Sequence, residues 1–366
     1  MDYEPGFERE GVDDGYDARP RPTLDETLNA LKQGETTGMT ATIYYGLSDL
    51  VKGQLAQLED VWVGLESEYR HKLVEQLNEI SESNFELDYR TFALFALEDE
   101  DAAVRGAAVE LLWSDETLEG MRRLMEVATQ DDAAAVRAVA LSALGRYILL
   151  GEYEDLPEAQ TSMAVDLAFS VYRDEGEDVE VRRRALEALS HSSHVGVNDA
   201  IREAYESGDR SMKVSAVFAM GKTYDERWEP AVMRELNSAD AEMRYEAVRA
   251  AGELSLEDAV PKLTRLIYES DREIRDVSIW ALGEIGGREA LRVLDRLASD
   301  PVFAEDEDLQ EAVEDAMVSA SMPGSDMLLF EYGSDEGDEE LPGEDNDWTD
   351  EASDARPDDD DRTRWN

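Results

Sequence analysis

The sequence predicts an all-α chain: a solenoid of stacked helical hairpins. Three observations predict it. One helical pattern recurs six times, three successive intervals between its copies are identical, and 42% apolar residues in 366 are enough for an extended array. The copies are DAAVRGAAVELLW from Asp101, AAAVRAVALSALG from Ala133 and DVEVRRRALEALS from Asp178. DRSMKVSAVFAMG from Asp209, DAEMRYEAVRAAG from Asp240 and DREIRDVSIWALG from Asp271 follow. Their basic residues in register are Arg105, Arg137, Arg182, Lys213, Arg244 and Arg275, spaced 32, 45, 31, 31 and 31.

Each position in the pattern has a physical reason. The leading Asp caps a helix by accepting from the unpaired amides of the first turn, and it meets the positive end of the helix dipole. The apolar residue before the basic one starts the buried face. Three residues after the basic one comes a small residue: Ala108, Ala140, Ala185, Ala216, Ala247 and Ser278. Small side chains there let neighbouring helices approach. A branched apolar residue follows: Val109, Leu141, Leu186, Val217, Val248 and Ile279. Eight residues after the basic one, Gly145, Gly221, Gly252 and Gly283 recur, with Trp113 and Ser190 as exceptions. Glycine there permits tight packing or a turn. After each such helix a short turn and a second helix are expected, as in SLEDAVPKLTRLIYES and GREALRVLDRLASD, making a hairpin of about 31 residues; one hairpin cannot bury its apolar face alone, so neighbours must stack.

The pattern D-x-x-V-R-x-x-A-x-x-A-L-G at this period resembles HEAT repeats, in particular the short subtype called phycobilisome-lyase-like. The resemblance covers roughly residues 99–301. It implies a right-handed α–α superhelix in which the second helices line the concave surface. It is specific for fold and not for function, because folds of this kind host many roles.

The edges follow from the same register. Residues 43–98 read as a degenerate N-terminal repeat: a partner helix over 43–62, a repeat helix over 66–80, and an outer helix in FELDYRTFALFALED. The interval of 45 residues implies a lengthened helix and a loop near Pro157. Residues 302–330 read as a C-terminal cap with a last helix over 305–320, and a short apolar run, MLLFEY, over 327–332 stands between body and tail, to dock on the last repeat or bind a partner. The solenoid thus spans 41–330. Residues 1–40 lack periodicity and are expected to be mostly disordered. Residues 331–366 are expected to be a disordered, low-complexity acidic tail.

Net charge is −53, distributed as −6 over residues 1–40, −34 over 41–330 and −13 over 331–366. A body this acidic repels phosphates and anionic lipid, so neither nucleic acid nor membrane is expected as a partner. No stretch approaches 18 consecutive apolar residues, and the N-terminus, MDYEPGFERE, is not a secretory signal. There is no cysteine, which excludes thiolate metal sites and a cysteine nucleophile and suits the cytoplasm.

The chemistry-bearing residues are sparse. His191 and His194 stand one turn beyond Glu187, and on one helix face the three would hold a metal; the alternative is a frayed helix end. Deoxyhypusine hydroxylase is built of this repeat and holds two irons with His-Glu pairs. Here the residues after His71, His191 and His194 are Lys72, Ser192 and Val195, so that chemistry is not expected. Phycobilin lyases carry the repeat too, but nothing here singles out a bilin pocket. G-E-I-G-G at 283–287 is a helix-end turn rather than a phosphate loop, since no strand precedes it. No cofactor, metal or catalytic residue is expected.

One feature resists the structural pattern. Five residues after the basic one stand Glu110, Ser142, Glu187, Phe218, Arg249 and Trp280. This position turns from polar to aromatic toward the C-terminus. With Lys222 and Tyr245 on the same side, the resemblance stacks Phe218, Lys222, Tyr245, Arg249 and Trp280 as one stripe on the concave face. Aromatics with Arg are enriched where partners bind. The expected function is a non-catalytic scaffold whose stripe anchors a protein partner, with the acidic field favouring a basic one. Seam packing of Trp280 between repeats and a small-ligand pocket are the competing readings of the stripe. An enzyme accessory subunit or a cofactor carrier is the competing function.

Overall fold

In a computed structural model of the chain, the described residues are 21–84, 86–304 and 306–321. Among them are 19 α-helices, three short 3₁₀ segments and no strand. The chain opens with α1 (Leu24–Thr37) and α2 (Ala41–Leu47), then runs as hairpins. These are α3 (Leu55–Trp62) with α4 (Ser67–Ser83), α5 (Arg90–Ala96) with α6 (Ala102–Glu110), and α7 (Leu118–Gln130) with α8 (Ala134–Glu152). Next come α9 (Glu158–Arg173) with α10 (Val179–Leu189), and α11 (Val197–Glu206) with α12 (Arg210–Lys222). Then follow α13 (Glu229–Glu235) with α14 (Ala241–Glu253), and α15 (Val260–Leu266) with α16 (Arg272–Ile285). Helices α17 (Gly287–Ala298), α18 (Pro301–Ala304) and α19 (Glu307–Ser321) close the described chain.

The register motif lies on the second helix of each hairpin from α6 to α16. Five of the six leading residues are caps: Asp101, Asp178, Asp209, Asp240 and Asp271 each accept from an amide of the first turn. The sixth helix, α8, has Ala133 at its N-cap, whose own N–H donates to Asp131 at 2.9 Å.

Second helices pack on one another in a continuous row from α4 to α19. The recurring glycines are their crossing points. A Cβ on Gly221 would stand 2.8 Å from Ala250 Cα, one on Gly252 3.0 Å from Ala281 Cα, and one on Gly283 2.9 Å from Ala316 Cα. Backbone thus meets backbone once per repeat, and a methyl group at any of these sites would force the helices apart.

The basic residue has a structural task that its spacing alone did not reveal. In four of the six copies, at Arg105, Arg137, Lys213 and Arg244, it ties one loop to the next. Arg105, Arg137 and Arg244 each donate to the carbonyl six residues earlier, Asp99, Asp131 and Ser238, at 2.7–2.9 Å. Their other donors reach forward to Asp131, Glu177 and Glu269, and Lys213 reaches Glu235 at 2.8 Å. Arg70 of α4 does the same with Asp99 and is buried, so the degenerate repeat keeps the clamp.

Three expectations about boundaries changed. Residues 43–62 form two helices, α2 and α3, rather than one, with a 3₁₀ turn over Lys52–Gln54 between them. The expected disorder of residues 1–40 fails over Leu24–Thr37. Thr23 accepts from the Glu26 amide while the Glu26 carboxylate accepts from the Thr23 N–H at 2.8 Å, closing a capping box. Leu28 and Leu31 then bury in the same core as Ile43 and Leu47. The outer helix expected over FELDYRTFALFALED is a short one, Arg90–Ala96. Helix α8 is long and apolar enough in composition to span a bilayer, although Arg137 and Arg146 interrupt every long apolar run. Residues 1–20, the run MLLFEY at 327–332 and the acidic tail 331–366 lie outside the described residues.

Candidate functional site

The stripe residues come from three successive second helices. Phe218 and Lys222 stand on α12, Tyr245 and Arg249 on α14, and Trp280 on α16. The 31-residue period places them side by side, and the structure brings the first group into direct contact. The Arg249 guanidinium carbon lies 4.9 Å from the Phe218 ring centroid, and Lys222 Nζ lies 5.9 Å from it.

Both cations are already engaged. Lys222 Nζ is 2.5 Å and Arg249 Nε 3.3 Å from Glu253 Oε1, and the Glu253 side chain is only 7% exposed. Gly221 makes room for this: a Cβ there would stand 2.3 Å from Glu253 Oε2. The basic half of the expected anchor is therefore neutralised within the protein. A cation paired on a buried carboxylate is poorly available to a partner.

Two titratable groups sit against this cluster. His191, in the turn after α10, is pushed down to about 4 by burial and then by the charges of Lys222 and Arg249, so it is neutral at pH 7. Glu246, on α14, is pushed up to about 7 by burial. Arg249 opposes that rise, while Glu187, Glu253 and Glu242 add to it. Its Oε2 is buried with no hydrogen-bond partner.

Trp280 lies at the C-terminal end of the stripe. Its ring edge stands 3.0 Å from where a Gly252 Cβ would be, so the missing side chain of one helix seats the ring of the next. The ring still keeps 39% of its surface exposed. With Tyr245, Arg249, Glu273, Asp276 and Val277 it lines an open depression of about 700 Å³. Asp276 is held by Arg272 and Arg275. Glu273 is exposed and has no ion pair among the described residues.

The Glu187, His191 and His194 set is not assembled. Glu187 accepts from Ser215 Oγ at 2.6 Å and from Arg184 at 2.8 Å. His194 Nδ1 accepts from the Gly196 N–H at 3.1 Å, and its ring packs 4.9 Å from Phe169. Among the described residues no three His, Asp or Glu side chains are grouped to hold a metal ion. In G-E-I-G-G, Gly283, Glu284 and Ile285 end α16, and Gly286 and Gly287, at φ 62° and 72°, turn the chain into α17.

Sequence reasoning missed Glu253, Glu246 and His191 as parts of this face. One signal was present: Arg249 and Glu253 are four apart on one helix, the spacing of an intrahelical ion pair.

A family model described as HEAT repeats matches residues 229–317, which carry α13 to α17 and most of α19. Residues 229–317 are HEAT repeats. The curated proteins yield no match to it. Among solved structures it is similar to YibA of Escherichia coli, at 17% identity and a TM-score of 0.41, covering 75% of this chain and 95% of that one. It is similar to the CpcE–CpcF complex of phycocyanin lyase from Nostoc sp. PCC7120, at 18% identity and a TM-score of 0.41, covering 63% and 94%. It is also similar to human deoxyhypusine hydroxylase, at 18% identity and a TM-score of 0.32, covering 81% and 96%. Likenesses this distant say nothing about the activity of this chain.

Proposed function

We propose that the protein is a non-catalytic scaffold that presents the second-helix row of its HEAT repeats, as a concave face, to a protein partner. The observation that carries this is the Trp280 depression. A tryptophan seated on Gly252 yet 39% exposed, beside Tyr245, offers the rigid aromatic surface on which interfaces depend. The Glu253 cluster makes Phe218 and Arg249 a fixed wall beside it rather than a basic anchor. Glu273, unpaired at the rim, and a net charge of −53 favour a partner with a basic surface. A cytoplasmic location belongs to the same proposal and is supported by the absence of cysteine.

The test is a crosslinking pulldown from native lysate that compares wild type with Phe218→Ala/Trp280→Ser, with thermal melts of both proteins. Loss of a specific partner with an unchanged melt supports the scaffold. Partners retained by a folded double variant remove the stripe as the binding face. A collapsed melt assigns Trp280 to the seam between repeats.

A further inference from the structure

The second-helix row has another opening, on repeats outside the stripe. Helix α8 buries Val136, Ala140, Leu141, Leu144 and Ile148 on one side. On the other side the exposed Ala135 and the half-buried Val139 and Ala143 repeat at helical spacing along an open trough of about 730 Å³, with the buried Ala138 at its floor. The helix is therefore apolar on both sides, with Ala135 exposed and Val139 and Ala143 half-buried along the trough. A helix apolar all round is ordinarily covered all round. On the α6 side the trough ends at Trp113, which is 38% exposed and is held in place by its indole N–H donating to Ser81 Oγ at 2.7 Å.

The charges around the trough decide what fits it. Its two arginines are engaged. Arg184 is divided between Glu180 at 3.0 Å and Glu187 at 2.8 Å. Arg146 donates to the Leu112 and Asp115 carbonyls and stands 5.1 Å from the Tyr147 ring centroid. Glu82 and Glu110, by contrast, are exposed at the rim and hold no ion pair among the described residues. The charge left to a partner is negative. A second copy of this chain would bring these carboxylates and its own −53 against them.

We propose that the α8 trough docks an amphipathic helix of a partner protein, its apolar face on Ala135, Val139 and Ala143 and its Lys or Arg flank toward Glu82 and Glu110. Small residues on α8 let the incoming backbone approach, as they do between the protein's own second helices. The face from Ala135 to Arg146 is about 16 Å long, three turns of helix at about 1.5 Å per residue, so a partner helix of moderate length covers it.

The test uses the full chain and a labelled 18-residue peptide with Leu at every third or fourth position and Lys elsewhere, read by fluorescence anisotropy at physiological ionic strength. A scrambled peptide of the same composition carries the same charge without an apolar face. The variant Ala135→Gln/Ser142→Gln adds neutral bulk at two exposed positions, and its melt is expected to match wild type. Binding of the amphipathic peptide should weaken about tenfold or more on scrambling the peptide, and equally in the Gln variant. Trp280→Ser should leave it unchanged, which separates this site from the stripe. Equal binding of the scrambled peptide, undiminished binding by the Gln variant, or loss of binding in Trp280→Ser each overturns the proposal. So does a wild-type dimer that the Gln variant turns into a monomer.

Discussion

Glu246→Gln tests whether the cluster beneath the stripe is as buried as it looks. In the folded protein the Glu246 carboxyl holds its proton up to about pH 7; in the unfolded chain it releases it near 4.5. Below pH 4.5 both states are protonated and the group costs nothing. As pH rises from 4.5 to 7 the unfolded state gains the charge and the folded state does not, so wild type loses stability relative to the Gln variant. Above pH 7 the difference levels off. The full displacement corresponds to about 3 kcal/mol at roughly 1.36 kcal/mol per pH unit, and partial solvent contact reduces that to about 2. Urea unfolding of both proteins at pH 5, 6, 7 and 8 measures it. The stability difference, Gln minus Glu, should climb with pH and flatten above 7. A difference independent of pH, or one that falls as pH rises, refutes the burial argument.

Three further predictions concern the array. Gly283→Ala should destabilise by about 2 kcal/mol in urea, because the new methyl meets the Ala316 backbone and has no flexible neighbour to displace. Ser255 closes α14 at φ 50°, where the matching residue after α16 is Gly286 at φ 62°, so Ser255→Gly should stabilise by about 1 kcal/mol. Arg105→Met should cost about 3 kcal/mol, since it leaves Asp131, whose side chain is 6% exposed, without its cation; calorimetry at pH 7 checks it.

The repeat body was legible because its information is periodic. The caps from Asp101 to Asp271, the glycine crossings and the lengthened α8 all follow from a register that any single copy states only weakly. Helix α1 was missed for the opposite reason: its signal is local, a Thr23–Glu26 box with two buried leucines and no repeat to reinforce it. The stripe was legible as an alignment and not as a chemistry. Spacing places Lys222 and Arg249 beside Phe218, but which carboxylate they choose depends on the space left by Gly221, a three-dimensional fact. The burial of Glu246 and His191 depends likewise on neighbouring repeats, and a single helix of sequence does not carry it.

The most direct measurement is hydroxyl-radical footprinting of the protein alone and in complex with a crosslinked partner. It compares Trp280 and Tyr245 with Tyr268, which is 63% exposed just beyond α15, away from the stripe. A scaffold that works through its second-helix face predicts that oxidation of Trp280 and Tyr245 falls several-fold in the complex while Tyr268 is unchanged. Protection of Tyr268 with Trp280 as reactive as in the free protein would contradict it.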